Sequence, residues 1–285
     1  RACATLARVR RHYAVRLNSG VRPSMTVTRL LALFFLAASL TCCAPAQQKH
    51  ATPVLFVGNS LTYVGNLPAV FDALAASNGK SVESDMIVKG GATLTMRVAD
   101  GSVQRALAAK KYDFVVFQER GGDSMCAFGT KSCTESEASF RILASAASQH
   151  GAKPILLGTY QALPQASRAL VQAEAEAAGS IAYVSISERL AAAMQAQPNA
   201  NWFYTDGMHP GHDLVLLEAI LLYRSVYNEL PHSSGFTVSA PMYTPNARFA
   251  PPTPVSHMPP SIDVASTYTY SPSQVAAALS IAGSR

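Results

Sequence analysis

Long apolar runs, charged residues and cysteines are all scarce in this sequence, and each shortage excludes a class of protein. Only 14% of the 285 residues are charged and 49% are hydrophobic, which is typical of one sizeable globular domain with little exposed charge. The most apolar run, residues 30–40, is too short to span a bilayer comfortably. We therefore expect no integral membrane span in the mature chain.

Acidic residues are absent from the first 46 positions, whereas seven of the 23 Lys and Arg residues lie there. The formal net charge of +6 therefore belongs to this N-terminal stretch, and the rest of the chain is close to neutral. The basic isoelectric point of about 9.1 is for that reason no evidence of nucleic-acid binding. We expect no nucleic-acid partner.

Residues 1–46 have the pattern of an upstream extension followed by a signal peptide. A basic residue, Arg29, precedes the apolar run, and Ala44-Pro45-Ala46 supplies an A-x-A cleavage pattern. This pattern predicts a secreted or periplasmic protein that is cleaved after Ala46. Two alternatives stay open, an uncleaved anchor and a lipoprotein cleaved before Cys42 or Cys43, although neither cysteine follows the small residue that lipidation expects.

Beyond this leader only two cysteines remain, Cys126 and Cys133. They bracket a glycine-containing loop in a chain with an export signal, and a disulfide is the simplest state of such a pair. A metal site would need further ligands nearby, and no histidine flanks the two cysteines. We therefore predict a Cys126–Cys133 disulfide and no metal.

Segments of strand type alternate with amphipathic helical segments along residues 47–230. Buried strand patterns such as 54–57 and 113–118 are followed by helical patterns, of which 211–227 is the longest. This alternation predicts βαβ units with right-handed crossovers. The expected fold is a three-layer α/β/α sandwich around a flavodoxin-like, five-stranded parallel sheet. Residues 231–285 form a Pro/Ser/Thr-rich C-terminal segment that we expect to be irregular and to close with a short helix near 271–281.

Two stretches carry residues of catalytic type. The apolar strand at 54–57 runs into Gly58-Asn59-Ser60, and the carboxyl end of such a strand is where open α/β sheets place their ligands. In Asp206-Gly207-Met208-His209 the carboxylate can accept the Nδ1–H of the imidazole, which leaves Nε2 free to take a proton from a serine. A lone Gly-x-Ser after a strand favours a mere turn, but the later Asp-x-x-His favours catalysis. We expect Nε2 of His209 within hydrogen-bonding reach of Ser60 Oγ.

These two blocks resemble those of the SGNH (GDSL-like) hydrolase superfamily, whose members carry them in the same order at the two ends of the α/β region. The resemblance covers about residues 52–230. In the second block of the family a glycine lends its backbone N–H to the oxyanion hole, and Gly90 or, preferably, Gly91 fits that role. The third block is usually Gly-x-Asn-Asp. Here the chain departs from it, with Gln118 in place of the asparagine and no glycine.

The resemblance implies an exported serine esterase that needs no metal or cofactor and acts on a small-molecule or carbohydrate ester, such as an O-acetyl ester. Ser60 would be the nucleophile, His209 the base and Asp206 the residue that orients it. The backbone N–H groups of Ser60 and Gly91 and the side chain of Gln118 would form the oxyanion hole. Two alternatives stay open: an acyltransferase acting on a sugar or lipid acceptor, and a non-catalytic carbohydrate-binding protein on the same fold.

Overall fold

The computed structural model describes residues 51–161, 164–232, 234–249 and 267–283. The expectations for the signal peptide and for lipidation lie outside these residues. Within them the strands are β1 (Thr52–Gly58), β2 (Val82–Val88), β3 (Phe114–Gln118), β4 (Lys153–Leu157), β5 (Ala182–Val184), β6 (Phe236–Val238) and β7 (Tyr268–Tyr270). The helices are α1 (Ser60–Tyr63), α2 (Leu67–Ser77), α3 (Leu94–Asp100), α4 (Ser102–Ala109), α5 (Thr130–Gln149), α6 (Pro164–Ala178), α7 (Ser187–Ala196), α8 (His212–Tyr227) and α9 (Pro272–Gly283).

The first five strands form one parallel sheet in the order β2-β1-β3-β4-β5. The apolar residues of β1 are fully buried because helices cover both faces of the sheet. Val54 and Phe56 join a core that also contains residues of α2, α8 and α9. Leu55 and Val57 point to the other face and join a core with residues of α3, α4 and α5. The predicted flavodoxin-like α/β/α sandwich is confirmed.

Two helix boundaries depend on single residues. Gly101 adopts φ 64° and separates α3 from α4 between β2 and β3. α5 begins at Thr130, and the Thr134 hydroxyl within it donates a hydrogen bond to the Thr130 carbonyl. The predicted disulfide between Cys126 and Cys133 is confirmed. It links the loop before α5 to the first turn of that helix.

The C-terminal segment packs into the same core as the α/β region wherever it is described. β6 pairs with β7 in an antiparallel ladder that the sequence pattern did not predict. The predicted terminal helix is present as α9, which packs against α8. Tyr270 and Val275 are fully buried there. No helix in the described ranges is both long and apolar enough to cross a membrane.

Candidate active site

The order of the strands reverses between β1 and β3, and the carboxyl ends of these two strands lie side by side at this switch point. Open α/β sheets place their ligands in the crevice that forms there. Ser60 follows β1 as the first residue of α1, and Gln118 is the last residue of β3. The sheet therefore brings together two segments that are distant in sequence.

The Gly58-Asn59-Ser60 turn has a structural reason for each of its first two residues. A Cβ at Gly58 would lie 2.1 Å from Thr62 Oγ1, so only glycine lets the chain turn so close to α1. Asn59 is buried and caps α1, since its side chain accepts a hydrogen bond from the N–H of Leu61 at 3.0 Å. These contacts position Ser60 at the end of the strand.

The Asp206–His209 loop holds the imidazole in one orientation. Asp206 Oδ2 lies 2.7 Å from His209 Nδ1, and Oδ1 accepts the backbone N–H groups of Met208 at 2.9 Å and His209 at 3.0 Å. Gly207 allows this tight loop by adopting φ 70°. The sequence-based expectation of an Asp206–His209 hydrogen bond is therefore met in this geometry.

Asp206 stays ionised over the physiological range. Burial acts to raise its pKa, but the hydrogen bonds from His209 and Met208 and the charge of His209 outweigh it and lower the pKa to about 2. An ionised carboxylate only accepts hydrogen bonds, so Nδ1 of His209 carries the proton. In a neutral imidazole Nε2 is then the atom that can accept a proton.

Ser60 and His209 line one cavity of about 390 Å³, together with Gly90, Gly91 and Tyr63. The structure thus brings together the expected nucleophile, the expected base and the expected oxyanion glycines. The expected hydrogen bond between Ser60 Oγ and His209 Nε2 is not formed among the described residues. Catalytic hydrogen bonds of this kind are often long without substrate and tighten when it binds.

Gln118 is buried below this cavity and does not belong to its described lining. Its Oε1 accepts from the Thr62 hydroxyl at 2.7 Å, and its Nε2 donates to Glu218 Oε1 at 3.3 Å. The amide therefore links α1, β3 and α8. One of the two Nε2 hydrogens is committed to Glu218, and the second is the one that could serve an oxyanion.

Glu218 is a residue that sequence reasoning missed. It lies fully buried in α8, and burial raises its pKa well above the ordinary value because the charged form loses its hydration. A glutamate inside the apolar run 214–223 was the available signal, because a carboxyl group on a buried helix needs a partner. That partner is Gln118.

Glu119 connects the loops beside the site to one another. Its carboxylate accepts the N–H of Leu94 at 3.1 Å, the N–H of Arg120 at 2.7 Å and the hydroxyl of Ser136 at 2.7 Å. The Arg120 guanidinium pairs instead with Asp123 at 2.7 Å. Glu119 thus ties the end of β3 to the start of α3 and to α5.

No family model and no curated protein matches this sequence. Among solved structures, a candidate SGNH hydrolase from Slackia heliotrinireducens is 25% identical with a TM-score of 0.50, and the match covers 62% of this chain and 100% of that one. A DUF4886 family protein from Bacteroides uniformis has 13% identity and a TM-score of 0.50 over 63% and 84% of the two chains, which shows the fold alone. An acetylxylan esterase from Geobacillus stearothermophilus has 17% identity and a TM-score of 0.49 over 62% and 96%, which is too distant to carry an argument.

The likeness to the Slackia protein extends over the full length of that protein and agrees with the strand order observed here. The likeness and the fold together support the assignment of this chain to the SGNH hydrolase superfamily.

Proposed function

We propose that this protein is an exported serine esterase that hydrolyses short-chain carboxylic esters, including O-acetyl esters of carbohydrates. The observation that carries the proposal is the shared cavity. Ser60 and His209 line it together, and His209 is oriented by an ionised Asp206. A nucleophile, a base and a group that orients the base are the parts that acyl transfer needs.

In the first half of the reaction His209 Nε2 takes the proton of Ser60 as Oγ bonds to the carbonyl carbon of the ester. Asp206 holds Nδ1–H and stabilises the imidazolium that forms. His209 then gives its proton to the alcohol oxygen, the C–O bond breaks, and the alcohol leaves. An acyl group remains on Ser60.

In the second half a water molecule replaces the alcohol. His209 takes a proton from this water as its oxygen bonds to the acyl carbon, and the proton returns to Ser60 Oγ as the acyl–enzyme bond breaks. The carboxylic acid leaves and the enzyme is restored. Every proton transfer in this scheme uses Nε2 of His209.

Both tetrahedral intermediates carry a negative oxygen. We assign its stabilisation to the N–H groups of Ser60 and Gly91 and to the second Nε2 hydrogen of Gln118. Gly91 lines the cavity and has φ 67°, a backbone conformation that glycine adopts readily. This supports the role of its backbone N–H as an oxyanion donor. Loss of one such donor typically lowers turnover by about 10²–10³-fold.

The cavity volume supports a small ester. About 390 Å³ falls within the range of small-molecule sites, which fits an ester of a short acyl group. The preference for carbohydrate esters rests on the predicted export, because extracellular glycans are the O-acetylated molecules that such a protein meets.

The test uses para-nitrophenyl acetate with purified protein and with the variant Ser60→Ala. We expect the parent to release nitrophenol and the variant to lose at least about 10³-fold in kcat, because it lacks the nucleophile. Ser180→Ala is the matched control, since Ser180 is exposed just after α6. Equal rates in the parent and in Ser60→Ala would overturn the proposal.

A further inference from the structure

Two cationic side chains line the cavity that contains Ser60 and His209. Lys89 follows β2 and precedes the glycines, and Arg248 comes from the C-terminal segment. Both side chains are exposed to solvent. The described lining of this cavity contains no acidic side chain.

Neither cation is neutralised by a carboxylate within the described ranges of the chain. Arg248 is instead held by its own loop, since Nη1 donates to the carbonyls of Asn246 at 2.9 Å and Ala247 at 3.2 Å. The carbonyls orient the guanidinium without cancelling its charge. The carboxylate of Asp206 makes its hydrogen bonds within its own loop, to the N–H groups of Met208 and His209 and to the His209 ring, and pairs with neither Lys89 nor Arg248.

Elsewhere in the described ranges several cations pair with carboxylates, whereas others, such as Lys111 and Lys153, do not. Lys110 lies 2.8 Å from Glu83, and Arg97 lies 2.9 Å from Asp100. The chain beyond residue 46 is also close to neutral overall. What distinguishes Lys89 and Arg248 is their position, since both line the cavity that contains Ser60 and His209 in a part of the chain with little net charge.

Tyr63 connects the two sides of the cavity. Its hydroxyl lies beside Gly90, where a Cβ would be 3.2 Å away, and its ring lies 4.7 Å from the ring of Phe249. Burial raises the pKa of Tyr63 and the charge of Arg248 partly lowers it. The charge of Arg248 is therefore felt at the Tyr63 hydroxyl, which lies beside Gly90, the residue after Lys89.

We propose that the preferred substrate is an ester that carries a negative group, a carboxylate or a phosphate, next to the reacting bond, with Lys89 and Arg248 as the residues that select it. This inference rests on the proposed esterase function. An anionic group in the cavity gains two ion pairs, whereas a neutral ester leaves both cations to water. For partly exposed pairs we expect about tenfold in kcat/KM for the two together.

The test compares each anionic ester with its neutral methyl ester. On the acyl side the pair is mono-para-nitrophenyl fumarate, whose trans double bond keeps the carboxylate from attacking its own ester, and the corresponding methyl ester. On the alcohol side the pair is para-acetoxybenzoate and its methyl ester, and para-acetoxyphenyl phosphate with its dimethyl ester tests phosphate. The quantity measured is the ratio of kcat/KM for the anionic ester to that for its neutral partner, at low and at high NaCl.

We expect a ratio of about ten in at least one pair, falling toward one at high salt because salt screens exposed charges. Lys89→Gln and Arg248→Gln should each lower the ratio, and Arg248→Glu should bring it below one. Lys111→Gln is the control, because Lys111 is an exposed lysine before β3, at the opposite end of that strand from Gln118. A folded state with the parent's Tm should be verified for each variant.

A parent protein that hydrolyses the neutral esters with a ratio near one in every pair overturns this inference and leaves the esterase function standing. A high ratio that Lys89→Gln and Arg248→Gln do not change also overturns it. Absence of hydrolysis with every ester contradicts the esterase function itself, and the inference falls with it.

Discussion

Glu218 shows how a single buried group connects the site to the rest of the fold. Its Oε1 accepts a hydrogen bond from the side-chain amide of Gln118. The Oε1 of Gln118 in turn accepts a hydrogen bond from the hydroxyl of Thr62, two residues after Ser60. A hydrogen-bonded chain of this kind fixes the orientation of the amide, because each member is buried and needs its partner. Glu218 is thus a positioning residue that fixes the orientation of the Gln118 amide.

We expect Glu218→Gln to be more stable than the parent at pH 8 and to lose this advantage near pH 4. Burial raises the pKa of Glu218 in the folded chain, so folding favours the protonated form. Above the ordinary value of 4.5 the unfolded chain ionises first, and the parent loses stability as the pH rises. The neutral amide of the variant has no such dependence.

Urea unfolding of the parent and the variant at pH 4 and pH 8 measures this difference. Gln118→Leu serves as the contrasting variant, because it leaves Glu218 and Thr62 without partners and should cost about 1–3 kcal/mol at either pH. A constant difference between Glu218→Gln and the parent across this range would contradict the buried neutral state.

At the scale of elements, the turn from β1 to α1 requires close packing at Gly58. Gly58 approaches Thr62 so closely that no side chain fits between them. Gly58 is buried and has an ordinary φ, so the requirement for glycine comes from space and not from backbone conformation. The pattern Gly-Asn-Ser in the sequence does not reveal whether glycine is required for space or for backbone conformation.

Gly58→Ala should therefore destabilise the protein by about 1–3 kcal/mol and displace α1 together with Ser60. Thermal unfolding and esterase turnover of the variant check both effects, and we expect both to fall. Gly121→Ala is the matched control, because its Cβ would meet only Leu61 Cδ1 at an ordinary 3.7 Å. Parent-like Tm and turnover in Gly58→Ala would show that α1 can shift without affecting the site.

At the scale of the whole molecule, the C-terminal segment completes the core and one wall of the cavity. Tyr270 and Val275 are fully buried, and α9 packs against α8. Arg248 and Phe249 of the same segment line the cavity with Ser60. The described part of residues 231–285 thus contributes to both stability and the site.

A chain that ends at residue 230 should fail to fold cooperatively. Each fully buried side chain that it loses contributes about 1.5–3 kcal/mol, and the sum of several exceeds the net stability of about 5–15 kcal/mol that a domain has. Circular dichroism during heating compares this chain with one that ends at residue 283. A sharp transition in the shorter chain within a few degrees of the longer one would show that residues 47–230 are an independent domain.

The sequence by itself determined what depends on neighbours along the chain. Buried strand patterns set the parallel sheet, and the three-residue spacing of Asp206 and His209 set their hydrogen bond, because both are local in sequence. The pairing of Cys126 with Cys133 belongs to the same class. The break at Gly101 is not evident from the sequence pattern, since helical periodicity continues across a glycine.

Only the tertiary structure decided which distant residues meet. Gln118 and Glu218 are 100 positions apart, and their contact exists because the order of strands places β3 under α8. Lys89 and Arg248 line the cavity of Ser60 for a similar reason, since the fold places the loop of each residue beside the carboxyl end of β1. Side-chain type and local spacing carry the chemistry of each group, but the packing of elements determines which groups act on one another.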